Sequence, residues 1–216
     1  MSDAGRVIAG SARGTRLAAP GPGTRPMGDR VKEALFAILE PELRGSRVLD
    51  LFAGSGAGGI EAMSRGAAFA IFVERDPGAA RIIAENLRRV HVEARASVVR
   101  ADAIAYLTGR AGSDGPFDIV LIDPPYAEPQ LINAALASLV AGVGTLLSMR
   151  VWVVAKHFWR TPPPPVSGLL ASVRTRRFGE TALTFYRRVE SSPREATSSE
   201  SSRRVDSPPA AQEAAR

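Results

Sequence analysis

The chain has 216 residues, no cysteine, two histidines and a formal net charge of +6. That length suits one α/β domain with extensions, and an apolar fraction of 45% is ordinary for a soluble globular protein. Disulfides and thiolate metal sites are excluded, His91 and His157 share no ligand spacing so no metal is expected, and MSDAGRVIAG lacks the apolar core of a secretory signal, so a cytoplasmic protein is expected.

Residues 1–28 are rich in Gly, Arg and Pro and read as a basic arm with one short hairpin. Asp29 is expected to cap a helix to about Glu40, with Val31, Leu35, Ile38 and Leu39 on one face and Pro41 just past its end. Strands and helices then alternate: strand Arg47–Asp50, helix Gly58–Arg65, strand Ala70–Glu74, helix Pro77–Arg89, strand Ser97–Ala101 and a short helix Ala103–Thr108. Strand Phe117–Asp123, helix Gln130–Val140 and strand Val151–Ala155 follow. Pro129 to Met149 carries no charge, but Asn133, Ser138, Gly142 and Gly144 favour a helix and a glycine turn over a membrane span. Residues 157–171, with four successive prolines, read as irregular, and Ser172–Arg188 as a closing hairpin around Phe178-Gly179-Glu180. Residues 189–216 have almost nothing apolar to bury and are expected to form a disordered tail, which leaves 29–188 as the main domain. The alternation implies a parallel sheet covered by helices on both faces.

Four apolar runs close on a carboxylate: Asp50, Glu74, Asp102 and Asp123. Each alone reads as a helix cap. Four in succession point instead to one crevice, because ligands of open parallel sheets bind beyond the carboxyl ends of the strands. Asp50 opens the loop DLFAGSGAGG, whose glycines allow a tight turn and a close backbone approach at a helix N-terminus. Glu74, 24 residues on, is placed to accept from both hydroxyls of a ribose. Any nucleoside cofactor satisfies this, NAD included.

The fourth run ends in Asp123-Pro124-Pro125-Tyr126. Hydride transfer has no need of such a loop, whereas methylation of an exocyclic amine does. The amine's lone pair is delocalised into the base, and two acceptors, the Asp123 side chain and the Pro124 carbonyl, can draw it toward a tetrahedral shape. Proline fixes φ and keeps the carbonyl aimed, Tyr126 can stack on the base, and catalysis is by positioning and preorganised charge.

The basic charge is uneven. Arg150 to Arg188 holds eight Lys/Arg against one acid, Glu180, and the arm carries Arg6, Arg13, Arg16, Arg25 and Arg30. A polyanion partner, a nucleic acid, follows.

DLFAGSGAGGIEAMSRGA, FVERD and DPPY together resemble the class I methyltransferases that use S-adenosylmethionine. The arm, RVIAGSARGTRLAAPGPGTRPMGDRVKEALFAIL, and the ending FGETALTFYRR are similar to the bacterial RsmD-type enzymes, which methylate N2 of a guanine in 16S ribosomal RNA. The resemblance covers about residues 6–188 and implies a Rossmann-like, mostly parallel seven-stranded sheet with a C-terminal antiparallel hairpin, in a monomer acting on the small ribosomal subunit. By position, Asp50, Phe52, Gly54 and Gly56 would line the cofactor's amino-acid and ribose part, Glu74 would hold the ribose, and Asp102 and Ala103 would meet the adenine. Asp123, Pro124 and Tyr126 would hold the guanine amine, and Arg13, Arg16, Arg25 and Arg30 would meet RNA phosphates. Two stretches depart from the family pattern: Met27-Gly28 replaces two hydroxyl residues, and the fifth strand runs into Lys156-His157 rather than a glutamate. The alternatives are an N6-adenine methyltransferase on DNA or RNA, an NAD-dependent oxidoreductase, and a ribosome-assembly factor that binds RNA without chemistry.

Overall fold

The structure, a computed structural model, describes residues 3–21, 27–109 and 111–189. Arg25 and residues 190–216 of the expected tail lie outside the described residues, while Val189, expected to begin that tail, is held by its amide on the Leu169 carbonyl (2.9 Å). In chain order the elements are β1 (Asp3–Arg6), β2 (Arg16–Ala18), α1 (Asp29–Leu43), β3 (Arg47–Leu51), α2 (Ala57–Ser64), β4 (Phe69–Glu74) and α3 (Pro77–Arg89). Then come β5 (Ala96–Arg100), α4 (Ala103–Gly109), α5 (Ala111–Asp114), β6 (Phe117–Ile122), α6 (Gln130–Ala141) and α7 (Val143–Leu146). The chain closes with β7 (Leu147–Phe158), β8 (Val166–Ser167), β9 (Leu170–Phe178) and β10 (Thr181–Arg188).

β3 to β10 form one sheet in the order β5-β4-β3-β6-β7-β10-β9-β8. β5, β4, β3, β6 and β7 run parallel, and β10 enters antiparallel between β7 and β9. These are the seven expected strands with a two-residue eighth, β8, added at one edge. The strand order reverses between β3 and β6, the position at which open α/β sheets leave a crevice.

Both sheet faces are buried, which is why the central strands read as unbroken apolar runs. Val48, Ala70, Phe72 and Ile119 pack with the arm and α1 to α3, while Leu49, Leu51, Ile71 and Val73 pack with α4, α6 and α7.

Three expectations are corrected. Asp29 does not cap α1: Gly28 holds that position, and Asp29 lies in the first turn against Arg6 (3.3 Å) and Lys32 (3.6 Å). Pro41 does not end α1 but sits inside its last turn, because burial of Leu43 keeps that turn against the core. The segment 157–171 is not irregular throughout: β7 continues to Phe158, and Tyr186, fully buried, donates to the Pro164 carbonyl (2.9 Å), packing the proline run against the domain.

The arm is built into the core. β1 and β2 pair antiparallel, and Val7, Ala12 and Leu17 are buried. The Glu61 carboxylate on α2, 1% exposed, accepts from the Ile8 amide (2.7 Å) and the Ala9 amide (3.0 Å). Ser64 Oγ donates to Ala9 O (2.6 Å) and accepts from the Ala12 amide (2.9 Å). A Cβ at Gly10 would collide with the Ser64 carbonyl, so only glycine lets the arm approach α2 this closely. Buried Asn86 on α3 accepts from the Ala18 amide (2.8 Å) and donates to the carbonyls of Ala18 and Ser55 (both 2.9 Å). It thereby ties the arm to the glycine loop.

Candidate active site

A cleft of about 820 Å³ opens beyond the carboxyl ends of β3 to β6. Its floor is the loop from β3 to α2, and its far side is the loop after β6. The arm supplies a further wall through Ala4, Ala19, Pro20 and Met27. Phe52 enters the glycine loop with a left-handed φ of 62°, an uncommon backbone for a bulky residue and one that collects at ligand sites. A Cβ at Gly59 would run into the Phe72 ring, so glycine allows the first turn of α2 to lie against β4.

The four strand-end carboxylates meet at this cleft with different partners. Asp50, 4% exposed, accepts from the Gly59 amide (2.8 Å). Burial pushes its carboxyl up to about 8; the Gly59 hydrogen bond opposes this, and the charges of Asp123 and Glu74 add to it. Glu74 accepts from the Gly54 amide (2.8 Å) with Oε2 and from the Asp76 amide (2.9 Å) with Oε1. Asp102 is exposed, and its Oδ1 caps α4 by accepting from Ile104 (2.9 Å) and Ala105 (3.0 Å). Helix capping and cleft lining are thus served by one side chain.

Asp123 accepts from the Lys156 ammonium at 2.6 Å. Burial raises the Asp123 carboxyl, and the Lys156 charge and hydrogen bond draw it back down. The same ammonium lies 5.1 Å from the centroid of the Tyr126 ring. The Tyr126 hydroxyl shares a 2.7 Å hydrogen bond with Thr181 Oγ1 at the start of β10. Lys156 and the hairpin thus fix the carboxylate and the aromatic ring as one group.

Among the residues expected from the sequence, Asp50, Phe52, Gly54, Glu74, Asp102, Ala103, Asp123, Pro124 and Tyr126 all line the cleft. Gly56 does not; the space a Cβ would take there faces Ile83, Ile60 and Phe72 in the core. Arg30 is exposed, three residues after the lining residue Met27. Arg13 is exposed in the turn held to Ser64, at the end of α2 away from the cleft, about 12 Å along the helix. Arg16 is exposed on β2, with its carbonyl accepting from Arg89 (3.4 Å). Lys156 had no assigned role; the signal for it was a cation at the end of the fifth strand.

A family model described as conserved hypothetical protein 95 matches residues 5–187. The chain belongs to this family, the RsmD family of class I S-adenosylmethionine-dependent methyltransferases. YlbH of Bacillus subtilis (strain 168) is 39% identical over 184 residues, covering 85% of this chain and 98% of YlbH. Ribosomal RNA small subunit methyltransferase D of Escherichia coli (strain K12) is 42% identical over 122 residues, covering 56% of this chain and 60% of that protein. The solved structure of yhhF from Escherichia coli superposes with a TM-score of 0.73 at 33% identity, covering 85% of this chain and 97% of that one. An RNA methyltransferase from Salinibacter ruber, solved with S-adenosyl-L-homocysteine, shares the fold with a TM-score of 0.58 at 17% identity, over 78% of this chain and 96% of that one.

Proposed function

We propose that the protein methylates the N2 amine of a guanine in 16S ribosomal RNA of the small subunit, with S-adenosylmethionine as donor. The family and the names of its relatives support a ribosomal RNA substrate. The convergence of Asp123, Lys156 and Tyr126 on the cleft that also holds Glu74 and Asp102 carries the reading of an amine acceptor.

The cleft fits the cofactor on three counts. Its volume is within the range of small-molecule sites. Gly58 lines the cleft, and a Cβ there would come within 2.9 Å of Leu121 and 3.3 Å of Asp50, so glycine lets the first turn of α2 pack on the sheet and bring its N-terminal end to the cleft. The oxygens of Glu74 each accept one amide and retain a lone pair for a ribose hydroxyl. Asp102 with Ala103 would hold the adenine edge, and Phe52 and Gly54, beside Asp50, the remainder. Bound, the cofactor supplies an electrophilic methyl group on a positively charged sulfur.

The chain's own residues then act on the amine. Asp123 and the Pro124 carbonyl accept its two N–H bonds and reduce conjugation of the nitrogen with the ring. Methyl transfer from a bound cofactor would leave one proton surplus on the amine nitrogen, and Asp123 is placed to take it, a task suited to a carboxylate raised by burial. Lys156 keeps that carboxylate ionised beforehand and holds it beside Tyr126, whose ring stacks on the base. A base must leave its stack to reach this cleft, so a loop nucleotide is the favoured target.

The test is a transfer assay with labelled S-adenosylmethionine on small subunits from cells lacking the protein, the nucleoside identified by mass spectrometry. N2-methylguanosine at one position is the expected result. Label in N6-methyladenine would move the substrate to adenine, and cofactor binding without label would leave a binding factor.

A further inference from the structure

We propose that the tip of the C-terminal hairpin is a preformed phosphate clamp that receives the RNA strand on either side of the extruded base. The inference rests on the RNA substrate of the preceding reading. Its residues are Trp159, Arg160 and Arg177, of which the sequence alone marked only the basic charge of the two arginines.

The tip is built beside the base-holding group. Thr181, which bonds the Tyr126 hydroxyl, pairs with Phe158 on β7 and with Phe178 on β9. The next residue, Trp159, donates its amide to the Glu180 carbonyl (3.0 Å), closing the turns of the two strand pairs against each other. On the Trp159 ring lie two guanidiniums, Arg177 at 3.6 Å and Arg160 at 4.7 Å from the centroid. Arg177 is held further by its Nε bond to the Gly179 carbonyl (2.9 Å). Both arginines are exposed.

Two cations gathered at one indole concentrate positive charge at the tip, and an anion arriving beside them is favoured. Stacking also removes most of the side-chain freedom that a flexible arginine loses on binding a phosphate. The bland explanation is that edge strands carry charge to prevent pairing with other chains. That accounts for Arg174 and Arg176, exposed along β9 where β8 pairs with Leu170 and Ala171 only. It does not account for two guanidiniums gathered on one aromatic ring at the tip. Charge complementarity favours a polyanion: Arg150 to Arg188 contains eight basic residues and one acid, Glu180. The tip is also closer in the fold to Tyr126 than is Arg13, whose turn is fastened at the far end of α2.

The experiment compares wild type with the double variant Arg160→Gln/Arg177→Gln and with Trp159→Leu, in the full chain. Binding to a 16S rRNA transcript is measured against salt, and steady-state methylation is measured on small subunits from cells lacking the protein. The double variant is expected to raise KM for the subunit on the order of tenfold. Its log–log salt slope should fall by about 1.4 to 1.8, the loss of two phosphate contacts. kcat at saturating subunit and the Kd for S-adenosylmethionine should stay unchanged. Trp159→Leu keeps both charges and should give a smaller rise in KM, with Trp159→Phe restoring it. A double variant with wild-type KM and slope would overturn the clamp while leaving the reaction intact. Wild type that binds the transcript with a slope the double variant lacks, yet places no label in RNA, would remove the reaction and keep the clamp.

Discussion

The arm and the C-terminal hairpin are both basic in sequence, yet they are held in opposite ways. The arm is fastened inward, its amides accepted by buried Glu61, Ser64 and Asn86, and it forms a wall of the cleft. The hairpin keeps an apolar strand, β10, inside and turns the arginines of β9 outward. Net charge alone does not separate a structural wall from a binding surface; what separates them is where the polar partners of each backbone go.

That contrast is broken most directly at Glu61. Glu61→Ala orphans the Ile8 and Ala9 amides and removes the 2.8 Å partner of Arg65. A loss of about 3 kcal/mol or more is expected, whereas exposed Arg174→Ala on β9 should change stability by no more than about 0.5 kcal/mol. Thermal unfolding checks both, and equal melting temperatures would erase the distinction.

A smaller effect sharpens it at the two neighbouring carboxylates. Asp50 is held by a backbone amide and pushed up to about 8 by burial. A carboxyl raised on folding contributes stability below its unfolded value near 4, and that stability is lost as pH rises toward 8. Asp50→Asn should therefore melt higher than wild type at pH 7, each kcal/mol being worth about 2–4 °C, and should flatten the decline between pH 4 and 8. A parallel decline in the variant would contradict the assignment.

Asp123 is held instead by Lys156, reaching across from β7. Lys156→Met removes the cation that favours the ionised form, so the acid limb of the transfer rate should move to higher pH. The loss of stability should be smaller than for Glu61→Ala, because the Asp123 side chain stays 24% exposed where Glu61 is 1% exposed. An unmoved limb would mean that Lys156 does not set the charge of Asp123.

How much of this could be read beforehand depends on the range of the contacts. Asp50, Glu74, Asp102 and Asp123 were legible because each closes a local apolar run, and parallel strands bring such ends to one side. The five parallel strands were legible for the same reason, and the hairpin from two alternating runs around Phe178-Gly179-Glu180. The arm's place was not, since it depends on pairs such as Ile8 with Glu61 and Ala18 with Asn86, 53 and 68 residues apart. Pro41 misled because a proline is a strong local stop, yet burial of Leu43 overrides it. Lys156 could be seen as a departure at the fifth strand, but its pairing with Asp123, 33 residues away, belongs to the sheet order. Gly56 matched the loop pattern while its open side faces the core rather than the cleft.

The most direct measurement is Asp123→Ala, assayed separately for S-adenosylmethionine binding and for methyl transfer to small subunits. Transfer should fall by roughly a thousandfold or more, while cofactor affinity stays close to wild type. Substantial turnover with the cofactor bound would contradict the account, because the amine would then be activated without the carboxylate on which the site converges.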